Sequence, residues 1–272
     1  MKVFITGATG QLGLALQRFA PAAVEVVPLG RDALDISNHE AVETLLRAGA
    51  DALINAAAYT DVEGAEREPA AAFAINSAGA ANLAAACASR GIHLVHVSTD
   101  FVFDGTKQTP YSPEDAVHPL NVYGASKLEG ERRVLDQLPD ACIVRTSWVH
   151  SADRANFVTK IVHRMRTGGA LRVVTDEIGT PTAVHSLAPA LWQCARNNVG
   201  GIHHWSDVGS TTRFDYARAI ASLAVEYALV PAFPEFAPAK VADFPAGAQR
   251  PRYTVLAVEE TQAVLGMQAR PW

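Results

Sequence analysis

The sequence predicts an α/β fold in which a doubly wound parallel sheet is followed by a smaller, less regular C-terminal lobe. Short apolar runs alternate with helical patterns through the first two thirds of the chain, which is typical of a parallel sheet covered by helices. A glycine-rich turn joins the first apolar run to the first helical pattern, and beyond Ser147 the alternation loosens and proline becomes dense. A length of 272 residues suits one large α/β domain, or one such domain with a smaller partner.

Each predicted strand is a short apolar run, and each predicted helix carries an apolar stripe at helical spacing. The predicted strands are residues 2–6, 24–28, 52–55, 93–97 and 142–146. The predicted helices are residues 11–19, 40–47 and 69–89, with two more in the lobe at 156–167 and 213–227. Ligands of such sheets bind beyond the carboxyl ends of the strands, so the residues that follow strands are the candidates for function.

Composition and charge exclude several classes of protein. The net charge of −5 argues against a nucleic-acid-binding protein, which is usually basic. Cys87, Cys142 and Cys194 have neither CxxC nor metal-ligand spacing, so we expect buried thiols in a reducing compartment. The N-terminus lacks a signal-like segment and no apolar stretch reaches the length of a membrane span, so the sequence predicts a cytoplasmic protein without membrane association.

Gly7, Gly10 and Gly13 lie in the turn between the first predicted strand and the first predicted helix. Glycine permits a tight turn there and lets the backbone approach a pyrophosphate, which then rests on the helix N-terminus. In this position the turn predicts dinucleotide binding and a Rossmann-type sheet. The residues expected to contact the dinucleotide here are Gly7, Thr9, Gly10, Gln11, Leu12 and Gly13.

The predicted organisation is a dinucleotide-binding domain at residues 1–150 and a lobe at residues 151–272 that mainly binds substrate. Some segments of the lobe are expected to return to the first domain. We find no internal repeat that would suggest a different organisation.

The end of the second predicted strand indicates which dinucleotide is bound. Arg31 comes first and would accommodate the 2′-phosphate of NADPH. Asp32 follows and could instead hydrogen-bond the ribose hydroxyl of NADH, so NADPH is favoured and NADH stays open. Further contacts are expected near the adenine and after the third strand, where small side chains let a ribose approach the backbone. These residues are Asp35, Ile36, Ala56, Ala57 and Ala58.

Tyr123 and Lys127 are the candidate catalytic pair. They are four residues apart and would share one face of a helix. An ammonium group beside a phenol favours the phenolate, so Lys127 is expected to lower the pKa of Tyr123 and make it a usable general acid. Lowering that pKa from about 10 towards 7 takes about 4 kcal/mol. Thr99, at the end of the fourth predicted strand, can point its hydroxyl into the same cleft.

Eight stretches of the chain carry a resemblance to a known family. They are GATGQLG at 7–13, LDIS at 34–37, INAAAYTDVEGAE at 54–66, STDFVFDG at 98–105, PLNVYGASKLEGE at 119–131, RTSWV at 145–149, DEIGTPT at 176–182 and RPRYTVL at 250–256. The similarity runs nearly end to end, and STDFVFDG and PLNVYGASK are far more specific than a glycine turn. On these motifs the chain resembles the extended short-chain dehydrogenase/reductases, and within them the branch that reduces nucleotide-linked keto sugars.

The resemblance implies a reaction. NADPH would deliver hydride to C4 of a dTDP-linked 4-keto-6-deoxyhexose, converting dTDP-4-dehydro-L-rhamnose to dTDP-L-rhamnose. Tyr123 would protonate the developing alkoxide, Lys127 would hold the nicotinamide ribose, and Thr99 would hydrogen-bond the carbonyl oxygen. Trp148 would line the sugar pocket, and Arg250 would meet the pyrophosphate of the substrate. The substrate contacts implied in this way are Thr99, Asp100, Phe101, Tyr123, Trp148 and Arg250.

Departures from the family pattern leave the exact sugar and the oligomeric state open. His150 stands where the family commonly has tyrosine. The first helix lacks the acidic residue that supports a metal-assisted dimer contact in some relatives, so we predict no metal and either a monomer or a homodimer.

Two alternative functions stay open. The chain could act on a different nucleotide-linked deoxy sugar, or it could be a non-catalytic NADP-binding protein similar to the regulatory subunit of methionine adenosyltransferase. An intact set of Thr99, Tyr123 and Lys127 argues against the second alternative, because a binding subunit needs no proton donor.

Overall fold

Six parallel strands form the central sheet of the protein, in a computed structural model that describes residues 1–168, 170–244 and 247–272. In chain order the strands are β1 (Lys2–Thr6), β2 (Glu25–Leu29), β3 (Ala52–Asn55), β4 (His93–Thr99), β5 (Cys142–Thr146), β6 (Val149–His150), β7 (Leu171–Val174), β8 (Ile178–Gly179), β9 (Thr182–Ala183), β10 (Gly201–His204), β11 (Thr211–Thr212) and β12 (Phe236–Ala239). The sheet order is β2-β1-β3-β4-β5-β10. The doubly wound parallel sheet predicted from the sequence is therefore confirmed.

Helices cover both faces of this sheet. They are α1 (Gln11–Arg18), α2 (His39–Leu46), α3 (Val62–Arg67), α4 (Pro69–Phe73), α5 (Ala80–Ala88), α6 (Val122–Gln137), α7 (Phe157–Thr167), α8 (Val184–Arg196), α9 (Arg213–Glu226) and α10 (Glu259–Leu265). α1 and α8 pack together on one face, whereas α2, α5 and α6 cover the other. Most helix bounds differ from the predicted ones by a residue; α2, for example, begins after Asn38, whose side chain accepts the N–H of Ala41. The helix predicted at residues 69–89 is instead divided into α4, a π-helical segment at Ala74–Gly79 and α5.

The strands are mostly apolar because both faces of the sheet are largely buried, and polar strand residues such as Asn55, His96 and Arg145 are buried with hydrogen-bond partners. On β1, Val3 and Ile5 belong to the core beneath α1 and α8. Phe4, between them, belongs to the core beneath α2 and α5. The three cysteines are buried free thiols, which confirms that part of the expectation from composition.

The lobe beyond residue 150 is built from α7 and α9 with three short strand pairs, β7 with β12, β8 with β11 and β6 with β9. Its small apolar core includes Ile161, Leu171 and Ile220. Two later elements rejoin the main sheet, because α8 packs on β3 and β4, and β10 pairs with β5. The division at residue 150 and the substrate-binding role of the lobe stay predictions.

The helical run Pro69–Ala88 is, among the described residues, the one helix long and apolar enough to cross a membrane, with a mean hydropathy of 1.3. The expectation that no apolar stretch reaches this length was wrong, because the alanines between residues 69 and 88 extend an apolar helix to 20 residues. Half of this run is buried inside the protein, where α5 packs on α2 and α6. Core helices commonly have this length and composition.

The sheet order creates a crevice at one edge. The chain leaves β1 towards β2 on one side and later adds β3 on the other side. The connections above the carboxyl ends of β1 and β3 therefore diverge, which is the switch point where such sheets bind ligands.

Candidate active site

A cavity of about 470 Å³ opens at this switch point. Its wall contains every predicted cofactor contact, from the glycine turn to Tyr123 and Lys127. Of the other predicted substrate contacts, Thr99, Asp100 and Trp148 also line it. One continuous space thus brings together residues that are far apart in the sequence, while the role of each residue stays a prediction.

The glycine turn fits close to the neighbouring loop. Gly7 has a φ of 66°, in the left-handed region that favours glycine, and a Cβ there would lie 2.6 Å from the backbone of Ala56. A Cβ on Gly13 would overlap the carbonyl oxygen of Gly7 and lie 2.6 Å from Cα of Ala8. Gly10 precedes α1 without a side-chain cap, which leaves the N–H groups of the first turn available to an anionic ligand. The turn therefore fits a dinucleotide pyrophosphate.

The cavity wall also carries charged residues that the sequence predicts to distinguish the two dinucleotides. Arg31 lines the cavity and is exposed, whereas Asp32 is not part of the wall. Asp35 accepts hydrogen bonds from the hydroxyl of Ser37 at 2.7 Å and from its backbone N–H at 3.0 Å. These bonds, helped by the charge of Arg31, lower the pKa of Asp35. The carboxylate of Asp35 is therefore held in place by hydrogen bonds, whereas the exposed side chain of Arg31 can adjust to a ligand.

α6 places Tyr123 and Lys127 on the face that lines the cavity, as their spacing predicts. The helix begins after Asn121, whose Oδ1 accepts the N–H of Gly124 at 2.8 Å. The ring of Phe101 packs edge-on against Tyr123 with 5.8 Å between ring centres. Phe101 is not part of the cavity wall, so the contact that the structure shows for it is with Tyr123.

Burial raises the pKa of Tyr123 to about 12. The hydroxyl of Thr99 partly offsets this by hydrogen bonding, and the carboxyl group of Asp100 adds to it. We expected Lys127 to lower the pKa of Tyr123, and this expectation is wrong for the protein without cofactor. Burial removes water from around the phenol, and this effect dominates its pKa. A phenol with this pKa is protonated at neutral pH, as a proton donor has to be.

Lys127 is buried, and burial lowers its pKa to about 8 while the carboxylate of Glu131 acts in the opposite direction. Its Nζ donates to the carbonyl oxygen of Val97 at 2.6 Å and lies 3.3 Å from Nε2 of His96. This contact with His96 was not predicted from the sequence.

Asp100 is a second buried acid in the wall. Burial raises its pKa to about 6, whereas hydrogen bonds from Thr254 and Thr99 and the charge of Arg213 act in the opposite direction. Its Oδ1 accepts the hydroxyl of Thr99 at 3.0 Å. Its Oδ2 has no hydrogen-bond partner among the described residues. Asp100 is thus a buried carboxyl group with one oxygen that is neither exposed nor hydrogen-bonded among the described residues.

Trp148 is held in a strained conformation at the lobe side of the cavity. Its φ of 41° lies in the left-handed region, which costs a non-glycine residue about 1–3 kcal/mol. The guanidinium of Arg213 lies 3.5 Å from the centre of the indole ring, and on Gly179 a Cβ would lie 2.6 Å from that ring. Arg213 is in turn anchored by Glu177 at 3.4 Å. The indole is therefore clamped on both sides, a packing that no local sequence signal predicts.

Arg250 lies outside the cavity wall. Its guanidinium pairs with the carboxylate of Glu63 at 2.8 Å, with both side chains partly exposed. The predicted contact with a substrate pyrophosphate stays a prediction and requires Arg250 to exchange this partner for a phosphate.

A buried ion pair behind Thr99 was also missed. Arg145 on β5 pairs with Glu131 on α6 at 2.7 Å, and the hydroxyl of Ser98 donates to the same carboxylate. An arginine inside an otherwise apolar strand was the available signal, because a buried charge requires a partner. The other missed wall residues are Leu34, Thr60, Ile75, Val97, Ser98, Thr146 and Val149. Most are apolar or small, with little chemistry to mark them.

Three features now define the class of the protein. They are the parallel sheet, the glycine turn at its switch point, and the helix face with Tyr123 and Lys127 on the same cavity. The class is that of Rossmann-type, dinucleotide-dependent oxidoreductases with a tyrosine–lysine pair.

Comparisons with known proteins narrow this class to one family. A family model described as the RmlD substrate binding domain matches residues 1–272. The chain is 36% identical over 280 residues to the dTDP-4-dehydrorhamnose reductase of Sinorhizobium fredii, covering 100% of this chain and 94% of that protein. It is 38% identical over 256 residues to a dTDP-4-keto-6-deoxy-D-glucose reductase of Streptomyces niveus, covering 93% and 87%.

A solved structure agrees with these relatives. The dTDP-4-dehydrorhamnose reductase of Bacillus anthracis, in complex with NADP, superposes with a TM-score of 0.93 at 33% identity, covering 99% of this chain and 94% of that one. The chain therefore belongs to the dTDP-4-dehydrorhamnose reductase family of oxidoreductases, and the resemblance found in the sequence is confirmed.

Proposed function

We propose that the protein reduces the C4 keto group of dTDP-4-dehydro-L-rhamnose to dTDP-L-rhamnose with NADPH as hydride donor. The observation that carries the proposal is the single cavity that joins the glycine turn to Thr99, Tyr123 and Lys127. Membership of the reductase family supports the choice of sugar, and an intact tyrosine–lysine pair favours an enzyme over a binding subunit.

The residues of the cavity fit NADPH. The pyrophosphate would lie on the N-terminus of α1, next to the turn that the absence of Cβ atoms on Gly7 and Gly13 lets pack tightly on itself and on Ala56. Arg31 would meet the 2′-phosphate, and Asp35 would face the adenosine beside it. When bound, the nicotinamide supplies the hydride that reduces the keto carbon.

The protein's own groups would handle the proton. Tyr123 would donate its hydroxyl proton to the substrate oxygen, and its raised pKa keeps that proton in place until a more basic alkoxide develops. Thr99 would hydrogen-bond the same oxygen, because its hydroxyl lies at the end of β4 beside Tyr123. Lys127 would contact the ribose next to the nicotinamide and counterbalance the phenolate.

The sugar would lie between Tyr123 and Trp148. The clamped indole offers a rigid apolar surface, and the carboxyl group of Asp100, which lines the same cavity, would bind a sugar hydroxyl. Arg250 would bind the substrate pyrophosphate after releasing Glu63.

A spectrophotometric assay tests the proposal. Purified protein is mixed with NADPH and dTDP-4-dehydro-L-rhamnose, and the loss of NADPH absorbance is followed. We expect turnover, and a lower kcat/KM with NADH because Arg31 has no phosphate to bind. Tight NADPH binding without turnover on any 4-keto sugar would point instead to a regulatory, non-catalytic protein.

A second candidate substrate is a dTDP-4-keto-6-deoxy-D-glucose. The similarity to the Streptomyces niveus reductase favours it, and His150 departs from the tyrosine common in the family. The same assay with both sugars distinguishes the candidates by their kcat/KM ratio.

We further propose that the protein acts in the cytoplasm without membrane association, as a monomer or a homodimer. Half of the Pro69–Ala88 run is buried within the fold, which supports a core role for that helix. Light scattering on the purified protein would give its oligomeric state, and fractionation of cells would test its location.

A further inference from the structure

A series of hydrogen bonds runs behind the cavity and ends at Lys127. The backbone N–H of Ala57 donates to Oδ1 of Asn55 at 3.1 Å. Nδ2 of Asn55 lies 2.9 Å from Nδ1 of His96. Nε2 of His96 lies 3.3 Å from Nζ of Lys127. Asn55, His96 and Lys127 are all buried, and buried polar groups pair donor to acceptor.

The backbone N–H of Ala57 sets the direction of these bonds, because it can only donate. Asn55 therefore turns Oδ1 towards Ala57, and the same oxygen accepts the hydroxyl of Thr6 at 2.6 Å. The amide nitrogen of Asn55 then faces His96 and donates to it, so Nδ1 is the accepting nitrogen of the ring.

The single N–H of a neutral His96 is consequently on Nε2, facing Lys127. The ring is neutral because burial holds the pKa of His96 well below its ordinary value. If Lys127 carries an ammonium group, which can only donate hydrogen bonds, two donors face each other at Nζ and Nε2–H. If Lys127 is an uncharged amine, its lone pair accepts Nε2–H while one of its own hydrogens is donated to the carbonyl oxygen of Val97.

Other charges around Lys127 do not reverse this preference. Glu131, one turn further along α6, favours the ammonium, but its carboxylate is already engaged by Arg145 and Ser98. Tyr123, one turn earlier, is uncharged, with the acid Asp100 near it. Burial of Lys127 acts in the same direction as His96.

We propose that His96 is a positioning residue that donates its Nε2–H to Lys127 and thereby makes the ammonium of Lys127 an unusually strong proton donor. The proposal rests on the proposed function, in which Tyr123 gives its hydroxyl proton to the substrate oxygen. The phenolate must regain a proton before the next turnover. An Nζ–H bond of Lys127 breaks, the O–H bond of Tyr123 forms, and the electron pair left on Nζ accepts Nε2–H of His96. Lys127 recovers its proton from solvent after the product leaves.

The direct test is an NMR titration of the substrate-free protein labelled with carbon-13 at the lysine ε carbons. Lys127 is one of five lysines, and its signal is assigned by its loss in Lys127→Met. We expect Lys127 to titrate near pH 8, about two pKa units below the ordinary lysine value of about 10.4. Titration of Lys127 at the ordinary lysine value would overturn the proposal.

Two variants separate the hydrogen-bond direction from burial. In Asn55→Asp one carboxylate oxygen still accepts the N–H of Ala57 and the hydroxyl of Thr6, but an oxygen replaces the amide nitrogen that faces His96. The His96 ring would then donate from Nδ1 to this oxygen and accept a hydrogen bond from the ammonium of Lys127 at Nε2. The pKa of Lys127 should therefore rise by about one unit or more. Thr6→Val removes a hydroxyl from the same Asn55 oxygen without changing the direction, and should leave the pKa of Lys127 unchanged. Equal effects of the two variants would contradict the proposal.

His96→Gln offers a rescue, because its amide N–H can replace Nε2–H and should keep the pKa of Lys127 low. If the pKa of Lys127 rises as much in His96→Gln as in Asn55→Asp, the result contradicts the proposal. If Asn55→Asp fails to fold, the pKa of Lys127 in His96→Gln still tests the proposal. The titration needs no turnover, so its failure is distinct from a failure of the proposed function, which would show as an inactive wild type.

Discussion

Removal of the Glu131 carboxylate should destabilise the protein more than removal of any exposed acid on the same helix. Glu131 and Arg145 are buried, with side chains 2% and 3% exposed. Among the described residues, Glu131→Ala would leave the buried guanidinium with the carbonyl oxygen of Pro113, at 3.3 Å, as its hydrogen-bond acceptor. Ser98 would lose its acceptor as well. Breaking one side of a buried pair typically costs about 3–5 kcal/mol of unfolding free energy.

Thermal unfolding followed by circular dichroism measures this effect. For a chain of this size about 1 kcal/mol shifts Tm by about 2–4 °C, so Glu131→Ala should lower Tm by about 6–20 °C. Glu129→Ala is the matched control on α6, since its ion pair with Arg133 at 3.0 Å is exposed and should be worth less than about 1 kcal/mol.

A double variant separates the pair from simple loss of packing. Glu131→Leu with Arg145→Met replaces both charges by apolar groups and should recover most of the loss. Equal stability of Glu131→Ala and Glu129→Ala would refute the assignment of a buried, mutually dependent pair.

Three further variants probe the cavity. Gly13→Ala places a Cβ against the Gly7 carbonyl and should weaken NADPH binding at least about tenfold, measured by fluorescence titration. Arg213→Lys removes the planar group stacked on Trp148 and should raise KM for the nucleotide sugar about tenfold while the NADPH Kd stays the same. In Asp100→Asn, the free energy of unfolding measured with urea should depend less on pH than in the wild type. With its pKa raised from 3.8 to about 6, native Asp100 contributes stability that is complete below pH 3.8 and lost as pH rises to about 6.

Each of these variants has an outcome that contradicts its reasoning. Unchanged NADPH affinity in Gly13→Ala would mean that the turn tolerates a side chain. Equal losses of cofactor and sugar affinity in Arg213→Lys would indicate general damage rather than a misplaced Trp148. If the free energy of unfolding of Asp100→Asn depends on pH as strongly as that of the wild type, groups other than Asp100 cause the dependence.

Much of the fold and the cofactor half of the site could be predicted because their signals are local. Apolar runs between helical patterns define the parallel sheet, and spacing alone places Tyr123 and Lys127 on one helix face. The glycine turn is equally local, since Gly7 and Gly13 meet each other and the adjacent loop.

The rest depends on contacts between distant segments. Trp148 contacts Arg213 on α9 and Gly179 on β8, and both of these elements lie far from it in the sequence. The contact of His96 with Lys127 spans β4 and α6, and nothing in either segment alone indicates it. The pKa of Tyr123 was predicted in the wrong direction because spacing conveys the charge of Lys127 but not the burial that outweighs it.

Tyr123→Phe tests the central claim most directly. Turnover of NADPH with dTDP-4-dehydro-L-rhamnose and the Kd for NADPH are measured for wild type, for Tyr123→Phe and for Tyr227→Phe, whose ring is exposed on the lobe. We expect Tyr123→Phe to lose about 100-fold or more in kcat, the lower range of a general-acid contribution, while both variants bind NADPH normally and Tyr227→Phe keeps full activity. Wild-type turnover in Tyr123→Phe would contradict its role as the proton donor.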